Sequence, residues 1–187
     1  MPKLIIIEGP DRSGKDTLIK NLQRRHPNSR KIHWGYPSGQ TNDEKTEWQK
    51  NSFKTQFENW NLSKELNILD YVIWNRSHIG EYVYGTIYRN SEPNTWVPAL
   101  EDEYLKNDLN VYLVFLTADP EFTLSQDDGN SYSININDKK LELETFNKAF
   151  AASKIQNKRI FSVHNENGYY PAEGILHQVL KFINDKH

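Results

Sequence analysis

Short unbroken apolar runs alternate along this chain with longer stretches in which apolar residues recur every three or four positions. Lys3 to Glu8 is one such run, rich in isoleucine and stopped by Gly9-Pro10, which predicts a strand buried on both faces of a parallel sheet. From Lys15 to Arg25, Leu18, Ile19 and Leu22 recur at helical spacing until His26-Pro27 ends the pattern. Arg30 to Trp34 alternates weakly as a second strand, and Gly35 to Thr41 reads as a loop. A long helix is expected from Asp43 to Leu69, with Trp48, Phe53, Phe57, Trp60 and Leu66 on an irregular apolar face. Tyr71 to Trp74 is a third strand, and His78 to Arg89 a helix marked by Ile79, Tyr82, Val83 and Ile87. Pro93 and Pro98 predict a break before a short helix over Leu100 to Lys106. Val111 to Leu116 is the clearest strand, closed by Asp119-Pro120, and Phe122 to Ser125 starts another helix. The polar segment Gln126 to Asp138 reads as a mobile loop, followed by a helix over Lys139 to Ser153. Arg159 to Val163 is a last strand, and Pro171 to Ile183 a final helix with proline at its first turn.

Strands alternating with helices predict an α/β domain whose parallel sheet is covered on both faces and binds ligands at the carboxyl ends of its strands. Chemistry is therefore expected after Glu8, Trp34, Trp74 and Leu116. The length of 187 residues suits one domain over the whole chain rather than two. The absence of cysteine excludes disulfides, thiolate metal sites and cysteine nucleophiles. A net charge of -2 speaks against a broad non-specific nucleic-acid surface, although Lys139, Lys140, Lys148, Lys154, Lys158 and Arg159 give the last third a basic run. Mean hydropathy is -0.81 and no membrane-spanning or export segment stands out, so a soluble cytoplasmic protein is expected. The histidines lack metal-ligand spacing; His78, nearest the expected site, is a minor catalytic candidate.

The strongest chemical signal is Gly9-Pro-Asp-Arg-Ser-Gly14-Lys15, lying between a strand and a helix. That context is the one a phosphate-binding loop needs: backbone N–H groups and the helix dipole face phosphate oxygens, and the lysine bridges the transferred group. Gly9, Ser13, Gly14, Lys15, Asp16 and Thr17 are thus the candidate ATP phosphate-binding residues. The position after the lysine, where a magnesium-ligating hydroxyl is expected, holds Asp16, with Thr17 following. Asp16 either binds Mg2+ directly or serves the helix dipole, in which case Thr17 is the metal or phosphate contact.

The stretch Glu8-Gly9-x-Asp11-Arg12-x-Gly14-Lys15 resembles the phosphate loop of thymidylate kinases. Asn75-Arg76 stands where that family has Asp-Arg followed by an aromatic; here Ser77 follows. Tyr36-Pro37 is similar to the family's Phe-Pro element, Phe57 to its base-stacking position, and Tyr84 to an aromatic bordering the thymine pocket. The resemblance implies a P-loop kinase, a three-layer α/β/α sandwich with a central parallel sheet and a lid at about 126–138. It also implies ATP and Mg2+ as cofactors, a deoxynucleoside monophosphate as acceptor and a possible homodimer. Lys15, Arg12, Arg76 and Asp11 become the catalytic candidates; Asp11, Tyr36, Phe57, Arg76, Glu81 and Tyr84 the acceptor-binding ones; Asp16 and Thr17 the metal ligands. The usual arginines are absent after Tyr36-Pro37, beside Phe57 and throughout Gln126 to Asn137. In these departures the chain is similar to thymidylate-kinase-like proteins of bacterial viruses, whose setting would be the host cytoplasm, including kinases of hydroxymethyl pyrimidines in DNA.

Three readings stay open on the sequence: a pyrimidine deoxynucleotide kinase, a kinase acting on a hydroxyl in DNA, and an ATP-binding module without turnover. Trp34, Phe57 and Trp60 are either a stacking wall for a base or core, and Asp127-Asp128 either reaches metal or adenine from the lid or forms a solvated turn.

Overall fold

A computed structural model describes residues 1–33, 35–129 and 131–185. Five parallel strands form its central sheet: β1 (Lys3–Glu8), β2 (Ser29–His33), β3 (Tyr71–Asn75), β4 (Val111–Thr117) and β5 (Asn157–Ser162), in the order β2-β3-β1-β4-β5. The phosphate-loop strand β1 is central, with Ile7 in register with Asn75 on one side and Val114 on the other. Its alternate residues feed two cores. Leu4 and Ile6 pack with Phe53, Phe57, Trp60, Ile79, Val83 and Phe146, whereas Ile5 and Ile7 pack with Leu18, Ile19, Leu22, Leu176, Val179 and Phe182. Helices α2 (Asn42–Leu66), α3 (His78–Arg89), α4 (Pro93–Tyr104) and α6 (Ile136–Ala152) cover the first face. Helices α1 (Lys15–Arg25) and α7 (Ala172–Asn184) cover the second, and α5 (Pro120–Ser125) leads into the segment before α6.

Several boundaries depart from the pattern-based reading. The expected break at Pro93 and Pro98 does not occur, because Pro93 takes the first helical position, where no N–H is needed, and α4 accommodates Pro98 within its length. Helix α2 ends at Leu66, closed by Asn67 in the left-handed region at φ 49°, and starts with a Thr41–Glu44 capping box. Helix α6 starts at Ile136, three residues before Lys139, since Asn135 caps it by accepting from the Asp138 N–H at 3.0 Å. A small hairpin, β6 (His164–Asn165) with β7 (Gly168–Tyr169), follows β5 where no element was expected. The second strand runs from Ser29 to His33, and Trp34 lies outside the described residues. The outer strands β2 and β5 each carry adjacent cations, Arg30-Lys31 and Lys158-Arg159.

Two buried carboxylates knit this frame. Glu8, fully buried at the end of β1, accepts from the Ser77 hydroxyl at 2.7 Å and the Gly80 N–H at 3.0 Å, at the N-terminus of α3. Glu101 on α4 accepts from Ser153 Oγ at 2.8 Å and the Lys154 N–H at 2.6 Å, and lies 2.8 Å from His78 Nε2. His78 is fully buried beside Phe53 and Phe57, so its place is in this joint rather than in a catalytic cleft.

A Cβ on Gly80 would lie 3.3 Å from both carboxylate oxygens of Glu8, whereas one on Gly174 in α7 would meet nothing within 4 Å. Gly80→Ala is therefore expected to destabilise the fold by about 1–3 kcal/mol, and Gly174→Ala to stabilise it by about 0.5–1 kcal/mol through helix propensity. Urea denaturation of both variants measures the pair.

Candidate functional site

The carboxyl ends of β1, β3 and β4 open onto a cavity of about 610 Å³ lined by Asp11 to Leu18, Asn75, Arg76 and residues of the β6–β7 hairpin region. Gly9 makes the loop possible: at φ +146° its would-be Cβ falls 2.2 Å from the Leu116 carbonyl oxygen, so only glycine lets the chain turn that close to β4. Gly14 caps α1 in the left-handed region at φ 82° with no side-chain cap bond. The first N–H groups of α1 thus remain available to an anion.

Lys15 is folded back over the loop. Its Nζ donates to the Gly9 carbonyl at 2.8 Å, the Pro10 carbonyl at 2.6 Å and Ser13 Oγ at 3.5 Å. Burial, reinforced by the neighbouring Arg76 charge, pushes its pKa down to about 8 against the pull of Asp11, Glu8 and Asp16. These carbonyls hold the ammonium where a phosphate would otherwise compete for it.

Arg76, in the left-handed region at φ 69°, donates to Asp11 Oδ1 at 2.5 Å, and its guanidinium lies 5.2 Å from the Tyr84 ring centroid. The second Asp11 oxygen accepts from the Tyr132 N–H at 3.2 Å. Burial alone would raise the Asp11 carboxyl; Arg76, Lys15 and the Tyr132 N–H outweigh it and hold the group below the ordinary carboxylate range. Asn75 Nδ2 donates to Asp16 Oδ1 at 2.8 Å.

The segment between α5 and α6 closes over this arrangement. Asp128 pairs with Arg12 of the loop. Asp127 accepts from the Gly129 N–H at 2.8 Å and from the buried Lys139 Nζ at 3.0 Å. Tyr132 packs against Tyr84 and Tyr88 at ring-centroid distances of 5.7 and 4.5 Å. On the far side, Tyr169 Oη donates to the Arg12 carbonyl at 2.6 Å, tying the hairpin to the loop.

No protein-family model matches the chain, and no curated protein matches its sequence. Among solved structures it is similar to the YorR protein of Bacillus subtilis in complex with phosphorylated GDP. The two share 21% identity over 96% of this chain and 95% of that one, with a TM-score of 0.62. It is also similar to the thymidylate kinase of Candida albicans, at 19% identity over 97% of this chain and 91% of that one, with a TM-score of 0.64. The chain has the α/β fold of the P-loop kinases.

Against this frame the candidates divide. Gly9, Asp11, Arg12, Ser13, Gly14, Lys15, Asp16, Thr17, Asn75 and Arg76 converge at or beside the cavity, and Tyr84 joins them through Arg76. Tyr36 is 62% exposed and reaches the group through a hydrogen bond with Tyr132. Phe57 is fully buried between Tyr104, Trp74 and His78. Trp60 is 1% exposed and bonds through Nε1 to Asp108 at 3.0 Å. Neither ring belongs to a base-stacking wall, because both complete the core under α2. Glu81 is buried in an ion pair with Arg89 on its own helix, and burial raises its pKa against that arginine. Its place is inside α3's packing, away from the cavity where an acceptor would lie. Asp127 and Asp128 form a largely exposed turn, closed by the Gly129 N–H on Asp127, and both carboxylates are engaged there, with Lys139 and Arg12. The pattern of residues did not single out Tyr132 or Tyr169, although Asn167-Gly168 is a legible hairpin signal before Tyr169.

Asp128 ties the 126–135 segment to the phosphate loop through Arg12, and losing that pair should loosen the segment. Asp128→Ala is expected to speed amide exchange at Tyr132 and Ser133 by about two- to fivefold, the range of a partly exposed ion pair. Hydrogen–deuterium exchange on the nucleotide-free protein reads this directly, and unchanged rates would mean that Asp128 does not hold the lid.

Proposed function

We propose that the protein is an ATP- and Mg2+-dependent kinase that transfers the γ-phosphoryl group to a deoxynucleoside monophosphate, with a pyrimidine as the base. The observation carrying this reading is the convergence on one cavity of the anion-ready loop with Lys15 and the Asp11–Arg76 pair. A phosphoryl-transfer site asks for little else, since positioning and charge stabilisation do most of the work. Gly9, Ser13 and Gly14 shape the donor phosphate cradle, and Lys15 leaves its carbonyl partners to contact the transferred group. Arg12 and Arg76 stabilise the equatorial oxygens as charge spreads over them. Asp11, kept ionised by Arg76, orients the acceptor sugar, with Tyr84 and Tyr36 bordering it. Asp16 and Thr17, both exposed at the cavity, offer the oxygen donors that Mg2+ prefers, and the ion would supply charge neutralisation between donor phosphates.

A second reading takes a hydroxyl on nucleic acid, such as a hydroxymethyl pyrimidine in DNA, as the acceptor. It is favoured by the pairing of cations at the site: Arg76 with Asp11 and Arg12 with Asp128. A neutral hydroxyl brings no terminal phosphate that needs an additional free cation. Transfer of label from γ-labelled ATP with Mg2+ to a panel of deoxynucleoside monophosphates, and to DNA with ordinary or hydroxymethylated pyrimidines, separates the two. Label on a free monophosphate supports the first reading, label on DNA alone the second, and no transfer to any acceptor counts against a kinase.

Lys15→Ala is expected to lower transfer by about a hundredfold or more, the scale of one lost transition-state donor. Phosphate favours the charged lysine, whose pKa in the free protein is about 8, so nucleotide binding above that pH must take up a proton. Affinity should accordingly fall as pH rises beyond 8, by up to about tenfold per unit. Calorimetry in buffers of different ionisation heats checks the proton uptake, and its absence at pH 9 would remove Lys15 from the phosphate contact.

A further inference from the structure

The two departures from the usual loop chemistry touch each other. The hydroxyl expected after the phosphate-loop lysine is replaced by Asp16, and the acid expected at the end of the third strand is replaced by Asn75. Asn75 Nδ2 donates to Asp16 Oδ1 at 2.8 Å. Asn75 is 2% exposed and its Oδ1 is buried without a hydrogen-bond partner, whereas Asp16 is exposed, and both line the same cavity as Lys15 and Thr17. The pair keeps one carboxylate, but that charge stands on α1 instead of β3. Among the described residues no group of three His, Asp or Glu could hold a metal by itself, here or elsewhere, so a cation at Asp16 would need the oxygens of a nucleotide as well.

We infer that Asp16 and Asn75 form a charge-exchanged metal pair, in which α1 supplies the anionic oxygen for the divalent cation of the nucleotide and Asn75 is the positioning residue that aims it. The inference rests on the kinase reading above and specifies how its metal is held. An acid serving only the dipole of α1 would need no tether to β3. A primary amide meets this need: its N–H fixes one carboxylate oxygen without adding a second negative charge. Two carboxylates at this separation would repel each other until a cation arrived.

The exchange can be reversed with almost no change of volume. Mn2+ serves as the spectroscopic probe, its binding to the protein in the presence of ADP followed by electron paramagnetic resonance. Asp16→Asn is expected to weaken Mn2+ binding by about tenfold or more, and Asn75→Ala by about tenfold, the usual effect of losing an outer partner. Metal-free ADP should bind Asp16→Asn at least as tightly as wild type, because a carboxylate beside the phosphates is lost, so a weaker Mn2+ signal there reports the metal and not the nucleotide. Asn75→Ala, which empties a buried position, should also lower the thermal transition. The double variant Asp16→Asn with Asn75→Asp, which returns the carboxylate to β3 across the same hydrogen bond, should recover Mn2+ binding to within about threefold of wild type. Unchanged Mn2+ affinity in Asp16→Asn or Asn75→Ala, or a double variant no better than Asp16→Asn, would overturn the exchange. Failure of the wild-type protein to bind Mn2+ with ADP would instead overturn the kinase reading beneath it.

Discussion

Glu8 is the joint on which the cavity depends. Its carboxylate is buried at the end of the central strand, and burial raises its pKa while the Ser77 hydroxyl, Arg76, the Gly80 N–H and Lys15 pull the other way. A buried acid is costly unless donors surround it. Here the donors are the cap residue and a first-turn amide of α3, both on Oε1 while Oε2 is left without one, so the helix end that holds the acid is also fixed beside the phosphate loop. That placement sets Arg76, two residues before α3, against Asp11, two residues into the loop. One buried carboxylate thereby registers the two walls of the site.

Charge in the site is arranged as pairs rather than as a field. The lid from 126 to 135 carries no lysine or arginine, and instead contributes Asp128 to Arg12 and a backbone N–H to Asp11. The cations that face the cavity come from the loop and from the end of β3. An incoming phosphate has to displace a carboxylate or a carbonyl from each of them, which makes binding a sequence of exchanges. Lys15 illustrates the point, since carbonyl oxygens already occupy its ammonium.

The strands and the loop were legible because their signals are local. Ile5 and Ile7 in an apolar run before Gly9-Pro10, and Gly14-Lys15 opening a helix, require no knowledge of distant contacts. The aromatic assignments were less secure for a physical reason: Phe57 and Trp60 at helical spacing look the same whether the facing space is core or ligand. Only the packing of Tyr104, Trp74 and His78 around Phe57 decides between them. The contacts of the expected lid segment were hidden, because Tyr132 with Asp11 and Asp128 with Arg12 join positions more than a hundred residues apart. Pro98 shows the opposite failure, a strong local signal overridden by a helix that buries Val97, Leu100 and Glu101.

The outer strands bear on how copies of the chain meet. An open sheet ends in two rows of unpaired backbone groups, which invite another strand to continue the ladder. Here those rows belong to β2 and β5, each marked by neighbouring cations, Arg30-Lys31 and Lys158-Arg159. Joining like edge to like edge would bring four positive charges together along one seam. The sheet is therefore guarded against growth by strand addition.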